Sequence, residues 1–240
     1  MEITTILMGV VVLLLIYVIW QYLTDSYTQI AGMQKASIKT TLPASTLPTN
    51  NNPANFSLSM WFYITSWSCS ATTAPNKNLF SIMGTGSGSS ADKFYVRLGS
   101  CQNDLDVGIS CTGTTSTAAS QQSVCHVKNV PLQRWVCLTV SVYGRTLDIY
   151  LDGKLVRTCV LPGTSDALAS QSSLTNIVIG GGFDGFISSV KYKAAPVNPQ
   201  EAWNTYSDGY GGSMMQDILN KYKIKLSFLV DDVEKQSVSV

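Results

Sequence analysis

The chain has 240 residues, 45% hydrophobic and 13% charged, with a formal net charge of +1. That balance excludes the basic footprint of a nucleic-acid binder, and the length suits one sandwich-sized domain with additions. Acid–base chemistry is limited by inventory, because the glutamates are Glu2, Glu201 and Glu234 and the one histidine is His126.

The first predicted element is ITTILMGVVVLLLIYVIWQYLT, which carries no charge between Glu2 and Asp25. As a helix it is roughly 33 Å long at ~1.5 Å per residue, enough to cross a bilayer core. Residues 1–24 therefore read as a single transmembrane anchor that includes Ile3 and Leu23, with Trp20 and Tyr22 at the interface. An acidic start, a long apolar run and the lack of a small-residue cleavage site argue against a cleaved signal peptide. Orientation stays open. Lys35 and Lys39 after the span lean toward a cytosolic C-terminal domain, whereas the cysteines favour an oxidising compartment.

Residues 25–55 read as a stalk, since TTLPASTLPTNNNPAN punctuates rather than packs, with room for one strand at 36–41. Asn55-Phe56-Ser57 is the one glycosylation sequon, making Asn55 the candidate acceptor. From Phe56 onward strands dominate. Phe56, Leu58, Met60 and Phe62 alternate with Ser57, Ser59, Trp61 and Tyr63, as on a half-buried strand. KNLFSIMG, KFYVRLG and DLDVGIS continue the pattern, and Thr112 to Ser123 reads as a low-complexity loop. RWVCLTVSVYGRTLDIYLDGKLV then reads as three strands and two turns, the second turn at Asp152-Gly153. LTNIVIGG and FDGFISSVKYK complete the strand series. In VNPQEAW, Asn198 as N-cap, Pro199 at the first helical position and Glu201 at the third predict a capped helix. Residues 207–240 form an extension: a helical turn at MMQDILNKY, then a closing strand with Ile224, Leu226, Phe228 and Val230 on one face, expected to pair back onto the sandwich.

Six cysteines, Cys69, Cys101, Cys111, Cys125, Cys137 and Cys159, all fall in the β-rich region and form no C-x-x-C pair. Disulfides are expected over a zinc site, with the pairing open and buried free thiols as the alternative.

Three phrases occur in order: FSLSMWFYITSW, the Arg134–Val156 meander, and IVIGGGFDGFISSVKYKAAPVNPQEAWNTY. Together they resemble the laminin-G-like, concanavalin A-like lectin/glucanase superfamily, with Trp61, Trp135, Tyr150, Asp152, Gly153, Gly180, Phe183, Gly185 and Tyr192 at the matching positions. The resemblance implies an all-β fold, an antiparallel jelly-roll β-sandwich over residues 56–206, preceded here by the N-terminal transmembrane helix. Anchor, stalk and sandwich together also resemble virion proteins of large double-stranded DNA viruses that carry an internal membrane under the capsid.

The residues argue against catalysis. Glucanases of this fold use a strand of the E-x-D-x-x-E kind, which this sequence lacks, and glycoside hydrolysis needs two facing carboxylates. Asp104 and Asp106 share a strand face by spacing but read as a solvated hairpin end. His126 lies in SVCHVKNVP, without a nucleophile elbow. No cofactor is expected; calcium, with Asp92, Asp104 and Asp106 as candidate ligands, lacks a recognisable loop. The glycine-rich stretches TGSGSSAD and GGGFDG open strands rather than helices, so they read as turns and not as phosphate cradles. Trp67, Tyr95, Tyr143 and Trp203 are the candidate sugar-stacking aromatics. Trp135 is expected in the core.

The combined expectation is a non-enzymatic structural protein. It is a viral minor capsid protein, single-pass in the internal membrane, whose partners are the lipid bilayer and other capsid or membrane proteins. The alternative is a membrane-displayed, lectin-like module with glycans as partners. Nucleic acid is not expected in either.

Overall fold

The computed structural model describes residues 27–69, 77–85, 92–112, 121–168 and 173–211, helical residues 13–15 and 17, and the backbone alone of 225–230 and 233–239. The strands, in chain order, are β1 (Thr28–Ala31), β2 (Gln34–Lys35), β3 (Thr40–Pro43), β4 (Phe56–Ser66), β5 (Lys77–Gly84), β6 (Asp92–Leu98), β7 (Leu105–Cys111), β8 (Gln121–Val127), β9 (Trp135–Tyr143), β10 (Thr146–Leu151), β11 (Lys154–Val160), β12 (Leu174–Ile179), β13 (Asp184–Lys193), β14 (Lys225–Val230) and β15 (Val233–Ser239). Helix α1 spans Pro199–Ser207.

Two antiparallel sheets pack face to face. The first runs β1-β13-β4-β9-β10-β11, with β2 also on β13, and the second runs β3-β12-β5-β6-β7-β8. The chain crosses between them after β2, β3, β4, β8, β11 and β12, which is jelly-roll connectivity. Period-two alternation decides which side chains meet in the middle. Phe56, Leu58, Met60 and Phe62 of β4 are at most 1% exposed, as are Phe80 and Ile82 of β5 and Phe94 and Val96 of β6. Phe56 packs edge-on to Phe94, with ring centroids 5.3 Å apart, and stacks on Tyr192 at 6.1 Å. Each such side chain contributes about 1.5–3 kcal/mol by leaving water. Burial pushes the Tyr192 hydroxyl's pKa up to about 12, opposed by a hydrogen bond from the Asn50 amide.

The Asp-Gly turn forms as the sequence requires. Asp152 and Gly153 sit at φ 50° and 73°, the left-handed pair of a two-residue hairpin joining β10 to β11. Asp152 also accepts from the Cys137 N–H at 3.0 Å and pairs with Arg134.

Several expectations need correction. Residues 28–43, expected in the stalk, enter both sheets: β1 and β2 pair with β13, and β3 pairs with β12. Short strands of Thr, Gln and Lys, with Pro43 ending β3, suit sheet edges, where one side of the backbone stays unpaired. Gln121–Ser123, expected in a loop, begin β8. Strand β14, expected to close onto the sandwich, pairs with β15 in a separate two-stranded sheet. Trp135 is only half-buried and faces outward from the first sheet, because the core side of β9 belongs to Val136, Leu138, Val140 and Val142.

Among the described residues no helix is long and apolar enough to cross a membrane. Most of the expected anchor, Ile3, Trp20 and Leu23 included, lies outside the described residues. Leu13, Leu14, Leu15 and Tyr17 within it are helical and exposed. The helical turn expected at MMQDILNKY also lies outside them.

Candidate functional site

The outer faces of the two sheets differ. On the first, the small outward residues Ser57, Thr139 and Ser141 leave room for a roof. The Ser141 hydroxyl both donates to the Val197 carbonyl (3.1 Å) and accepts from its N–H (3.0 Å), and Ser57 donates to the Ala195 carbonyl (2.9 Å). These bonds deliver the chain to α1. There the capping box forms: the Asn198 side chain accepts from the Glu201 N–H at 2.8 Å and the Glu201 carboxylate accepts from the Asn198 N–H at 3.2 Å. Tyr206 stacks on Trp61 at 5.7 Å, and Tyr210 stacks on Trp135 at 4.5 Å. Beneath this cover Cys137 is buried, and desolvation pushes its thiol up to about 12.

Among the described residues, nothing covers the outer face of the second sheet at β6, β7 and β8. Register places Arg97 beside Asp106 and Asp106 beside His126, with Tyr95 beside Gly108 in the next row. Gly108 is required here, since a β-carbon at that position would occupy the space of the Tyr95 ring. The ring therefore lies flat on β7. The Arg97 guanidinium sits 4.3 Å from its centroid and reaches Asp92 at 2.7 Å. Asp106 pairs with the His126 Nδ1 at 2.6 Å. Burial raises the pKa of the Tyr95 hydroxyl, with Arg97 opposing.

Two hollows open on this side of the molecule. One, of about 700 Å³, has Tyr95, Arg97, Asp106 and His126 in its lining. The other, of about 630 Å³, has Trp67, Asn103, Lys128, Asn129 and Leu132. They share Cys101, Gln102 and Asp104, so the β6–β7 connection is a ridge between them. The ridge is held from several sides. Cys101 is disulfide-bonded to Cys69. Lys77, 2% exposed, donates to the carbonyls of Gly99 and Ser100 and lies 4.7 Å from the Trp67 ring centroid. Burial lowers its pKa. The facing loop is strapped down by the Asn103 amide to the Val130 carbonyl (3.1 Å) and by the Asn129 N–H to Asp104 (3.2 Å). In that loop Asn129 and Gln133 both adopt left-handed φ, 59° and 55°, a local strain that surrounding contacts must hold.

Of the four aromatics singled out by sequence, Trp67 and Tyr95 come to neighbouring hollows. Tyr143, the last residue of β9, is 65% exposed, and Trp203 lies on α1 beside Tyr206. Asp106, the second residue of β7, lies on the open face beside the β6–β7 hairpin end, and His126 is the penultimate residue of β8, at the strand's exit rather than its entry. The calcium candidates are engaged separately: Asp92 with Arg97, Asp104 with the Asn129 backbone, Asp106 with His126. Among the described residues no three His, Cys, Asp or Glu side chains gather as a metal cluster. Gly180, Gly181 and Gly182 take φ 73°, 97° and 107° in the β12–β13 connection, a conformation few other residues adopt.

The cysteines divide. Cys125 bonds Cys159, joining the edge strands β8 and β11, while Cys111 and Cys137 are buried free thiols, so four of the six candidates are bridged. Burial pushes Cys111 up to about 11. Asn55 of the sequon is half-buried and accepts from the Gly144 N–H at 2.9 Å, and Ser57 is fully buried. Sequence reasoning missed Gln102, Asn103, Lys128 and Asn129, whose types are ordinary for loops. Their one local signal is the Asn129-Val-Pro turn.

A laminin G family profile, described as the concanavalin A-like lectin/glucanases superfamily, matches residues 35–201. The chain belongs to this superfamily. Among solved structures, it is similar to the binding domain of botulinum neurotoxin DC in complex with SialylT, with a TM-score of 0.51 and 14% identity over 73% of this chain and 41% of that one. It is similar also to the botulinum neurotoxin serotype D/C VPI 5993 binding domain, with a TM-score of 0.50 and 13% identity over 73% of this chain and 43% of that one. At such identities the likeness is one of fold, and the chain spans about two fifths of those structures. No curated protein matches it in sequence.

Proposed function

We propose that the protein is a non-catalytic, lectin-like binding module held at a membrane by residues 1–24, with glycans as its ligands. The observation that carries this reading is the outer face of the second sheet, uncovered among the described residues, and the loop end beside it, where two adjoining hollows each combine an aromatic ring with hydrogen-bonding side chains. That combination suits ligands with apolar ring faces and hydroxyl edges. The superfamily includes lectins, and the neurotoxin binding domain of the same fold was solved with SialylT, which is in keeping with a binding role. Engagement of Asp92, Asp104 and Asp106 by separate donors fits recognition better than acid–base catalysis. The anchor rests on the uncharged run Ile3–Thr24. The test is a glycan array probed with the full chain in a non-glycosidic detergent. Selective binding that Tyr95→Ala abolishes supports the reading; release of cleaved glycan, or no binding to any glycan, overturns it.

A second reading keeps the anchor and makes the sandwich a link between an internal virion membrane and the capsid. It rests on edge strand β11, where Leu155, Val156 and Val160 are 52%, 44% and 77% exposed. A neighbouring protein would cover such a row. Fixed stoichiometry in purified virions, with β11 protected from labelling there, is its expected outcome.

A further inference from the structure

We infer that the ligand is a neutral oligosaccharide of at least two sugar units, bound across the ridge at Cys101–Asp104 with one unit in each hollow. The inference rests on the glycan-binding reading and specifies it.

Size comes first. Each hollow exceeds the volume of a single pyranose unit, and the two meet at Cys101, Gln102 and Asp104. A ligand confined to one hollow leaves the ridge uncovered; a ligand of two or more units crosses it. Gln102 is exposed on that ridge. With one acceptor oxygen and two donor hydrogens, it is suited to bond hydroxyls on either side. The ridge is rigid before any ligand arrives, because Cys69, Lys77 and Asn103 hold it from three directions. A preformed wall lowers the ordering cost of binding.

Charge then selects among glycans. In the ridge-end hollow the lining holds one cation, Lys128, and one carboxylate, Asp104. In the sheet-face hollow Arg97 is already neutralised by Asp92, and His126 faces Asp106, with Asp104 at the edge. Among the described residues, neither lining carries an excess of Lys and Arg over Asp and Glu. A sialylated or sulfated unit would bring a negative charge up to Asp104 and Asp106, which is unfavourable for like charges in a partly buried site. A neutral sugar finds both donors and acceptors in the lining and loses nothing to repulsion.

The experiment is titration calorimetry on the full chain in a non-glycosidic detergent, with a neutral monosaccharide, a neutral tetrasaccharide and the sialylated form of the same tetrasaccharide, chosen from the strongest array responses. The tetrasaccharide is expected to bind at least about tenfold tighter than the monosaccharide, and the sialylated form more weakly than the neutral one. Gln102→Ala is expected to reduce tetrasaccharide affinity about 2- to 10-fold, as for one exchanged hydrogen bond, and to narrow the gap between tetrasaccharide and monosaccharide. Trp67→Phe, read in parallel, is expected to weaken the tetrasaccharide without altering the thermal midpoint by more than a few degrees. Equal affinity for monosaccharide and tetrasaccharide, or preference for the sialylated form, overturns this inference and leaves the lectin reading standing. Absence of binding to every glycan overturns the lectin reading itself.

Discussion

The two outward faces of the sandwich are built on the same alternation but end in opposite states. On the first sheet the outward positions are Ser, Thr, Cys and Trp, and α1 with Tyr206 and Tyr210 covers them. On the second sheet they are Tyr95, Arg97, Asp106 and His126, and nothing among the described residues roofs them. Small hydroxyls hydrogen-bond to an incoming backbone, and indoles accept a stacked ring. Charged pairs instead keep their hydration and repel an apolar cover. The lesson is that outward residue type decides whether a sheet face serves stability or recognition.

The comparison can be broken in four ways. Trp61, 6% exposed and stacked on Tyr206, belongs to the covered face. Trp61→Ala should cost about 3–5 kcal/mol in denaturant unfolding. Trp135→Ala, half-exposed, should cost about 1–2 kcal/mol. Equal losses would erase the distinction between roofed and rim positions. Next, the Cys125–Cys159 bridge joins an edge of each sheet across a separation of 34 residues. Replacing both with Ser should lower stability by about 3–4 kcal/mol on the chain-entropy account, measured by the same unfolding. A neutral result would mean the edges hold without it.

The third concerns pH. Cys137 and Tyr192 hold their protons more tightly folded than unfolded, with pKa values raised from 9.0 and 10.0 to about 12. The stability they add is whole below those ordinary values and is lost as pH rises through them toward about 12. The thermal midpoint should therefore fall above pH 9. Burial holds the Cys137 thiol protonated at pH 8 and shields it from reagent, so iodoacetamide should leave it unmodified until the roof is unfolded. Rapid alkylation of the native protein would show the roof to be open. The smallest effect belongs to the open face. His126→Ala removes an exposed ion pair and should change stability by less than about 0.5 kcal/mol, while glycan affinity falls. A large stability loss would make that face structural after all.

What was legible in the sequence was whatever is local. Alternation marked β4 and β9, Asp152-Gly153 marked its turn, and Asn198-Pro199-Gln200-Glu201 marked the start of α1. What was not legible needed a partner far along the chain. Thr28–Ala31 reads as linker because the strand it pairs with lies beyond residue 183. Trp135 reads as core because alternation gives two faces without saying that the outer one also acquires a cover. The hollows escaped for the same reason, since Trp67, Gln102 and Lys128 meet only after three connections converge.

Gly153 carries a final consequence. A β-carbon there would come within 3.0 Å of the Trp203 backbone and 3.2 Å of the Tyr206 side chain. The glycine that turns the hairpin is also the seat on which α1 rests. The hairpin loop and the helix surface are therefore one unit of variation: lengthening the loop, or grafting it from a related fold, obliges a matching change at Trp203 and Tyr206. Anyone re-engineering the open face for a new ligand should leave that opposite corner untouched.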